Sequence, residues 1–235
     1  MLLKIISSPN ITINYYNFNK LGSCRMRLSE SYYYFESPTG LALRQKYVNF
    51  ESFVNQFYLE RSTDKHVRNV FLFDKNFAVG MIKFRNNTGK IVPPIDYVYS
   101  SSQIHSMNDR KLFGVKIQET RKNLLRLMSC LDSRFVLSPR IHTSVFSPLR
   151  VNSDNVINGP GAFTRMYDTE YKILEDFSNV IQRLNNDYNI LSLNVNIEVE
   201  IYTRLEPCKS CKSVAGEFIQ KYPNSTVRFY FDRPY

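Results

Sequence analysis

Residues 206–223, EPCKSCKSVAGEFIQKYP, decide the fold of this chain, because they combine a helix with two cysteines at its start. Pro207 suits the first position of a helix, since its φ is already helical and it has no N–H to leave unsatisfied. Apolar residues then recur at helical spacing, at Val214, Ala215, Phe218 and Tyr222. This pattern places Cys208 and Cys211 on the buried side of the first turn, where the helix dipole and free N–H groups favour the thiolate, the form that binds metals. The stretch therefore predicts half of a zinc site.

A second helix is predicted over residues 168–184, DTEYKILEDFSNVIQRL, with its apolar stripe at Leu174, Phe177, Ile181 and Leu184. Glu170 lies four residues before Leu174, so a carboxylate begins the face that meets the core. Burying that charge is costly unless another group pairs with it. The alternating strand VNIEVEIYTRL, residues 195–205, leads directly into the cysteine helix. Both helices are therefore expected to begin at the same edge of one sheet.

Catalytic zinc needs a third protein ligand and one open position. Asp168 lies at the mouth of the predicted helix, and together with Cys208, Cys211 and a water it would complete a tetrahedral site. Glu170 would then contact the water rather than the metal.

Other ligand sets stay open at this point. Asp168 also suits a simple helix cap, in which case the third ligand would be His142 or His105. A structural zinc knuckle would need two further ligands at close spacing. The remaining cysteines, Cys24 and Cys130, are far apart in the sequence, which argues against it.

The first part of the chain is expected to form an appendage. Residues 1–45 are rich in aromatic and β-branched residues, which favours short strands. Helical spacing over residues 50–61 predicts a helix capped by Asn49. Because the charged break RSTDKH follows, we expect a β-rich appendage over residues 1–65 and a catalytic domain over residues 66–235.

A β-hairpin is predicted at the start of the catalytic domain. Residues 70–84, VFLFDKNFAVGMIKF, are apolar on both faces, as in a strand in the middle of a sheet. The second arm is expected only at residues 95–101, because Pro93 and Pro94 prevent a regular strand. Further along, the patterns predict a helix at 116–131, a long loop at 132–165 with a short strand at 135–137, and a last strand at 226–231. A fifth strand would have to come from elsewhere in the chain.

Composition narrows the class of protein. The 235 residues are 43% hydrophobic and 14% aromatic, which allows a substantial core, and no apolar run approaches the roughly 20 residues of a membrane span. The start, MLLKIISSPN, does not match a signal peptide. Four scattered cysteines indicate a reducing compartment rather than a disulfide scaffold. The net charge of +10 favours nucleic acid as a partner over a basic surface without one.

The motifs resemble the zinc-dependent cytidine deaminase superfamily, whose signature is H-x-E followed by P-C-x-x-C. D-T-E at 168–170 and P-C-K-S-C at 207–211 carry this resemblance. Their flanks, YDTEYKILEDFSNVI and IYTRLEPCKSCKSVAGEFIQKYPNSTV, resemble the toxin-type deaminases of bacterial polymorphic toxin systems. NFAVGMIKF and SSSQIHS are similar to the first strand and to the end of the second strand in that group. The resemblance covers residues 70–104 and 160–235.

The resemblance implies an α/β, deaminase-like three-layer fold, with a central mixed sheet of four to five strands flanked by helices. It also implies a zinc-dependent hydrolytic deaminase that converts cytosine to uracil in nucleic acid, with Asp168, Cys208 and Cys211 as the zinc ligands. Water activated by zinc would attack C4 of the base, while Glu170 carries protons to N3 and to the leaving ammonia. Further candidates for substrate contacts are Asn76, His105 and His142.

One position departs from the signature, since Asp168 stands where the superfamily has His. Zinc with two thiolates and a neutral His carries no net charge, whereas with Asp the site carries −1. A more negative site makes bound water harder to deprotonate, so more depends on Glu170 as the base.

The resemblance further implies a toxin or effector. Its partners would be a nucleic-acid substrate (single-stranded DNA, duplex DNA or RNA) and, as a further candidate, an immunity protein. A membrane is not expected among its partners. It would act in the cytoplasm, and its delivery into a target cell can bypass a signal peptide. Two alternatives stay open: a deaminase of free cytidine or nucleotides, and a non-catalytic zinc module that binds nucleic acid. Glu170 argues against the second, because a binding module has no use for an acid on the buried face of a helix.

Overall fold

The computed structural model describes residues 29–61, 76–89, 91–102, 134–136, 144–193 and 195–235. These residues form three α-helices: α1 (Pro38–Arg61), α2 (Thr169–Tyr188) and α3 (Lys209–Lys221). They also form the strands β1 (Glu30–Tyr33), β2 (Phe77–Arg85), β3 (Ile91–Ser101), β4 (Arg134–Val136), β5 (Arg150–Val151), β6 (Phe163–Thr164), β7 (Asn196–Leu205) and β8 (Ser225–Arg233). Two short 3-10 helices lie at Tyr34–Glu36 and Ile190–Leu193. None of the described helices is both long enough and apolar enough to cross a bilayer.

Six strands form one mixed sheet in the order β1-β8-β7-β2-β3-β4. β8 is parallel to both β1 and β7, β4 is parallel to β3, and β2 is antiparallel to β7 and β3. Helices cover both faces, so the predicted α/β three-layer fold of the deaminase type is confirmed. The expected four to five strands were too few, because β1 and β4 add one strand at each edge.

One face of the sheet carries α2 and α3. Leu174 and Phe177 of α2 and Phe218 of α3 pack with every second residue of the central strands in one core. α2 approaches the sheet closely at Gly80, where an added Cβ would lie 2.6 Å from Ile173 Cγ2. The glycine therefore fixes how deeply the start of α2 is set against the strands.

The other face carries α1, whose Leu43, Tyr47 and Phe50 pack on the opposite side of the same strands. The predicted helix at 50–61 with Asn49 as its cap was too short, since α1 begins at Pro38. Its buried positions continue the helical spacing back from Phe50, but the aromatic run at residues 32–35 just before the helix led to the prediction of strands instead.

The described part of the expected appendage, residues 29–61, belongs to this second face and to the sheet edge. Residues 29–61 are mainly helical rather than β-rich, and β1, which pairs with β8, is the one strand among them. The predicted strands before residue 29 lie outside the described residues, and the boundary between 1–65 and 66–235 stays a prediction.

The hairpin of β2 and β3 is present, and its second arm is irregular as predicted. β3 nevertheless runs through the prolines from Ile91 instead of beginning at residue 95. Val92 pairs with Phe84 and Asp96 pairs with Ile82, so three residues of β3 lie opposite the single residue Lys83. The register shift accommodates two residues that cannot donate to the ladder.

Other predicted elements agree with the structure within a few residues. α2, β7, α3 and β8 lie where the patterns placed them, and the short strand of the long loop is β4. That loop also contains β5 and β6, which pair with each other. The predicted helix at 116–131 lies outside the described residues, as do Cys24, Cys130, His105 and His142.

Candidate metal and proton-transfer site

The candidate site lies at the end of the sheet where the central strand β7 ends. α3 follows β7 after three residues, so its start, with Cys208 and Cys211, stays at this end. β2 is antiparallel to β7, which places Asn76, the residue before β2, at the same end. The chain runs along α2 to the opposite end of the sheet, where β7 begins. The start of α2, with Asp168 and Glu170, therefore lies at the same end of the sheet as the start of α3. The structure thus brings the two helix starts together, as the sequence predicts.

Asp168, Cys208 and Cys211 form a compact group that could hold a metal ion. Oδ2 of Asp168 lies 3.3 Å from the Sγ of Cys208 and 3.5 Å from the Sγ of Cys211, and the two sulfurs are 3.4 Å apart. Tetrahedral zinc with ordinary bond lengths would place its oxygen and sulfur ligands about 3.5 Å apart and its two sulfurs about 3.8 Å apart. The cysteines are free and buried, so this donor set fits zinc.

The carboxylate of Asp168 does not cap α2. Asp168 holds the N-cap position in the backbone, yet its side chain makes no capping hydrogen bond. It faces the thiols instead, which removes the argument for Asp168 as a cap only. In α3 the N-cap is Cys208. Pro207 therefore precedes the cap, and the prediction that it takes the first helical position was wrong.

The pKa of the Cys211 thiol differs from the expectation for a helix start. The hydrogen bond with Cys208, burial, and the negative charges of Glu170 and Asp168 hold the pKa of Cys211 well above its usual value. These effects oppose the helix dipole, which favours the thiolate. A cation bound between the three side chains would reverse this balance, because ligand thiols are deprotonated when metal binds.

Glu170 lies beside this group and is 2% exposed. Its Oε1 accepts hydrogen bonds from Thr203 Oγ1 at 2.8 Å and from Asn76 Nδ2 at 3.1 Å. Its Oε2 accepts one from Thr169 Oγ1 at 2.9 Å and lies 3.7 Å from the Sγ of Cys211. Burial and the charge of Asp168 raise the pKa of Glu170, against the hydrogen bonds from the two threonines. A raised pKa makes a carboxyl group a better proton acceptor, which suits a general base.

Asn76 lies at the site, where it supports Glu170. Besides Glu170, its Nδ2 donates to Thr169 Oγ1 at 3.1 Å, and its Oδ1 lies 3.0 Å from Thr203 Oγ1. A contact between Asn76 and the substrate stays a prediction.

Among the supporting residues that were missed in the sequence are Thr203, Arg165 and Glu175. Thr203 could have been found, because it interrupts the apolar face of β7 that Val199 and Ile201 form. Arg165, whose Nη1 lies 3.6 Å from Oδ1 of Asp168, gave no periodic signal. Glu175 of α2 gave none either.

Glu175 fixes the loop before α2, residues 144–149, which contacts both α2 and α3. Although buried, it accepts hydrogen bonds from the backbone N–H of Val145 at 2.9 Å and of Phe146 at 2.8 Å. Further along the loop, the N–H of Leu149 donates to Ser210 Oγ of α3 at 2.9 Å. The loop is therefore fastened to both helices that carry the site.

Comparison with known proteins agrees with the motifs. The family model described as "Toxin-deaminase: The BURPS668_1122 family of deaminases" matches residues 93–233, which is more than half of the chain. No curated protein and no solved structure gives a significant match. The matched residues include both helix starts of the site. The chain therefore belongs to this family of toxin-type deaminases within the cytidine deaminase superfamily, as its motifs predicted.

Proposed function

We propose that this protein is a zinc-dependent deaminase that converts cytosine to uracil in nucleic acid and acts as a toxin. One observation carries the proposal: a buried carboxylate, Glu170, lies 3.7 Å from the Sγ of Cys211, beside a group of three possible metal ligands. Zinc held by Asp168, Cys208 and Cys211 would activate a water for attack on C4 of the base.

The residues around the zinc position would handle the protons. Glu170 would take a proton from the water, pass it to N3 of the ring, and then assist the loss of ammonia. Thr203, Thr169 and Asn76 hold both oxygens of Glu170 in place. Burial and the charge of Asp168 raise the pKa of Glu170, which favours uptake of a proton, while the hydrogen bonds from the two threonines favour the carboxylate.

The surface beside the site favours a polymer over a free nucleoside. Phe163 is 52% exposed, and its ring centroid lies 4.5 Å from the guanidinium of Arg165, which pairs with Asp168. Exposed aromatic rings in a basic protein suit unpaired bases, since each base stacked on a ring contributes about 1–3 kcal/mol. The net charge of +10 adds attraction to phosphates.

A substrate panel tests the proposal. Purified protein with measured zinc would be incubated with single-stranded DNA, duplex DNA, RNA and free cytidine, and uracil would be quantified by mass spectrometry. We expect uracil in at least one polymer, and at least about 100-fold less with Glu170→Gln. Glu206→Gln is the matched control, because Glu206 lies next to the cysteine motif but pairs with Lys212 at 2.6 Å. Absence of uracil from all four substrates would show that the proposal is wrong.

The choice between polymer and nucleoside has its own variant. Phe163→Ala should raise KM for the polymer by roughly 5- to 150-fold, the equivalent of one lost stacking contact, and leave KM for cytidine unchanged. Tyr188→Ala is the control, since Tyr188 is also exposed but lies at the far end of α2. Equal effects of Phe163→Ala on both substrates would contradict a polymer-binding surface at this position.

A further inference from the structure

An aspartate ligand differs from the histidine of the superfamily signature in two respects, and both create a problem for a catalytic site. It adds one negative charge, and it offers two oxygens that can both bind the metal. Bidentate binding would occupy the position that a catalytic zinc keeps open. The residues around Asp168 therefore have to balance its charge and restrain one of its oxygens.

The two oxygens of Asp168 have different surroundings. Oδ2 faces the thiols, at 3.3 Å from Cys208 and 3.5 Å from Cys211. Oδ1 faces the guanidinium of Arg165, whose Nη1 lies 3.6 Å away, which is an ion-pair distance. The side chains of Asp168 and Arg165 are only 17% and 11% exposed, so water screens this pair weakly.

Arg165 is itself held in position. Its Nη2 donates to the carbonyl oxygen of Asn152 at 3.2 Å and to the hydroxyl of Tyr235. Its guanidinium carbon lies 4.5 Å from the ring centroid of Phe163 and 5.6 Å from that of Tyr235. The buried Nε has no hydrogen-bond partner among the described residues. The cation is thus fixed by its surroundings and aimed at Asp168.

We propose that Arg165 is a positioning residue that retains Oδ1 of Asp168, so that Asp168 binds zinc through Oδ2 alone and one coordination position stays open. The inference rests on the proposed function, because it requires zinc between the three ligands. The charge of Arg165 also cancels the extra negative charge, so that zinc, two thiolates, Asp168 and Arg165 together are neutral. Arg165 and Asp168 thereby replace the neutral histidine as a pair.

Cobalt substitution tests this inference without measuring activity. In the wild-type protein, Co²⁺ should give the intense visible d–d bands of a four-coordinate site. Arg165→Met should weaken these bands, because the released Oδ1 adds a ligand, while the protein still binds one metal ion. Arg150→Met is the matched control, since Arg150 donates to the carbonyl of Ala162 from the neighbouring strand β5. Unchanged bands in Arg165→Met with bound cobalt would overturn the inference.

Two further measurements keep the inference testable if Arg165→Met does not fold. X-ray absorption of the zinc-loaded wild-type protein should give two sulfur and two oxygen neighbours, and three oxygens would overturn it. In the Asp168→His background no second oxygen exists, so Arg165→Met should leave the cobalt bands unchanged there, and weakened bands would overturn it. A wild-type protein that binds no metal would instead refute the proposed function itself.

Discussion

Thr203→Val is the variant whose effect follows most directly from the geometry. Thr203 is fully buried, and its hydroxyl lies 2.8 Å from Glu170 Oε1 and 3.0 Å from Asn76 Oδ1. Valine has nearly the same shape without the hydroxyl, so the variant removes the hydrogen bond and creates little empty space. Hydrogen bonds to charged groups contribute about 1.5–3 kcal/mol. We expect the free energy of unfolding of the zinc-loaded protein to fall by about that amount.

The same variant should lower kcat, because Glu170 loses its shortest hydrogen bond and with it a fixed orientation. Loss of such supporting partners typically costs about 10- to 100-fold in activity. Urea denaturation gives the first quantity, and initial rates of uracil formation at saturating substrate give the second. Zinc content should stay unchanged, since no ligand is altered.

Thr226→Val is the matched control for stability. Thr226 is also a strand threonine, and its Oγ1 is buried without a hydrogen-bond partner among the described residues. Its replacement should therefore cost little or slightly stabilise the protein. If Thr203→Val destabilises no more than Thr226→Val and retains full kcat, the role assigned to Thr203 is refuted.

Three other predictions concern the metal, the loop and the proton. Asp168→Ala should lower zinc content after dialysis against a weak chelator, as measured by elemental mass spectrometry; undiminished zinc would exclude Asp168 as a ligand. Glu175→Gln should speed amide exchange at Val145 and Phe146 and destabilise the protein by about 1–3 kcal/mol, because two backbone donors share this carboxylate; unchanged exchange would contradict it. In the metal-free protein, the raised pKa of Glu170 means that the folded state still binds a proton above about pH 4.5, where the unfolded state has released it. The free energy of unfolding therefore falls as the pH rises from about 4.5 towards the pKa of Glu170 in the folded state. Glu170→Gln should remove this part of the slope in urea titrations at several pH values, and an equal slope would count against the raised pKa.

Local pattern was sufficient for the elements that carry the site. The apolar stripe of α2 and the alternation of β7 are strong signals within one segment, and they placed Glu170 on the buried face correctly. The start of α1 was missed because the aromatic run at residues 32–35, which favours strands, lies just before it. The place of β1 beside β8 depends on pairing between residues far apart in the chain, which no local pattern encodes.

The grouping of Asp168, Cys208 and Cys211 was predictable from the sequence, whereas the position of Arg165 was not. Cys208 and Cys211 belong to one short motif at the start of α3, and Asp168 was identified because it lies two residues before Glu170 at the start of α2. Arg165 acts on Asp168 through an orientation that depends on Asn152 and Tyr235, so its role appears only when the loop is folded.

The most direct measurement compares uracil formation and zinc content in the same samples of wild-type protein and Glu170→Gln. We expect both proteins to hold one zinc ion, because Glu170 is not among the three candidate ligands. We also expect that only the wild-type protein converts cytosine, with a loss of at least about 100-fold in Glu170→Gln. Conversion by Glu170→Gln at the wild-type rate would contradict the assignment of Glu170 as the group that transfers the proton.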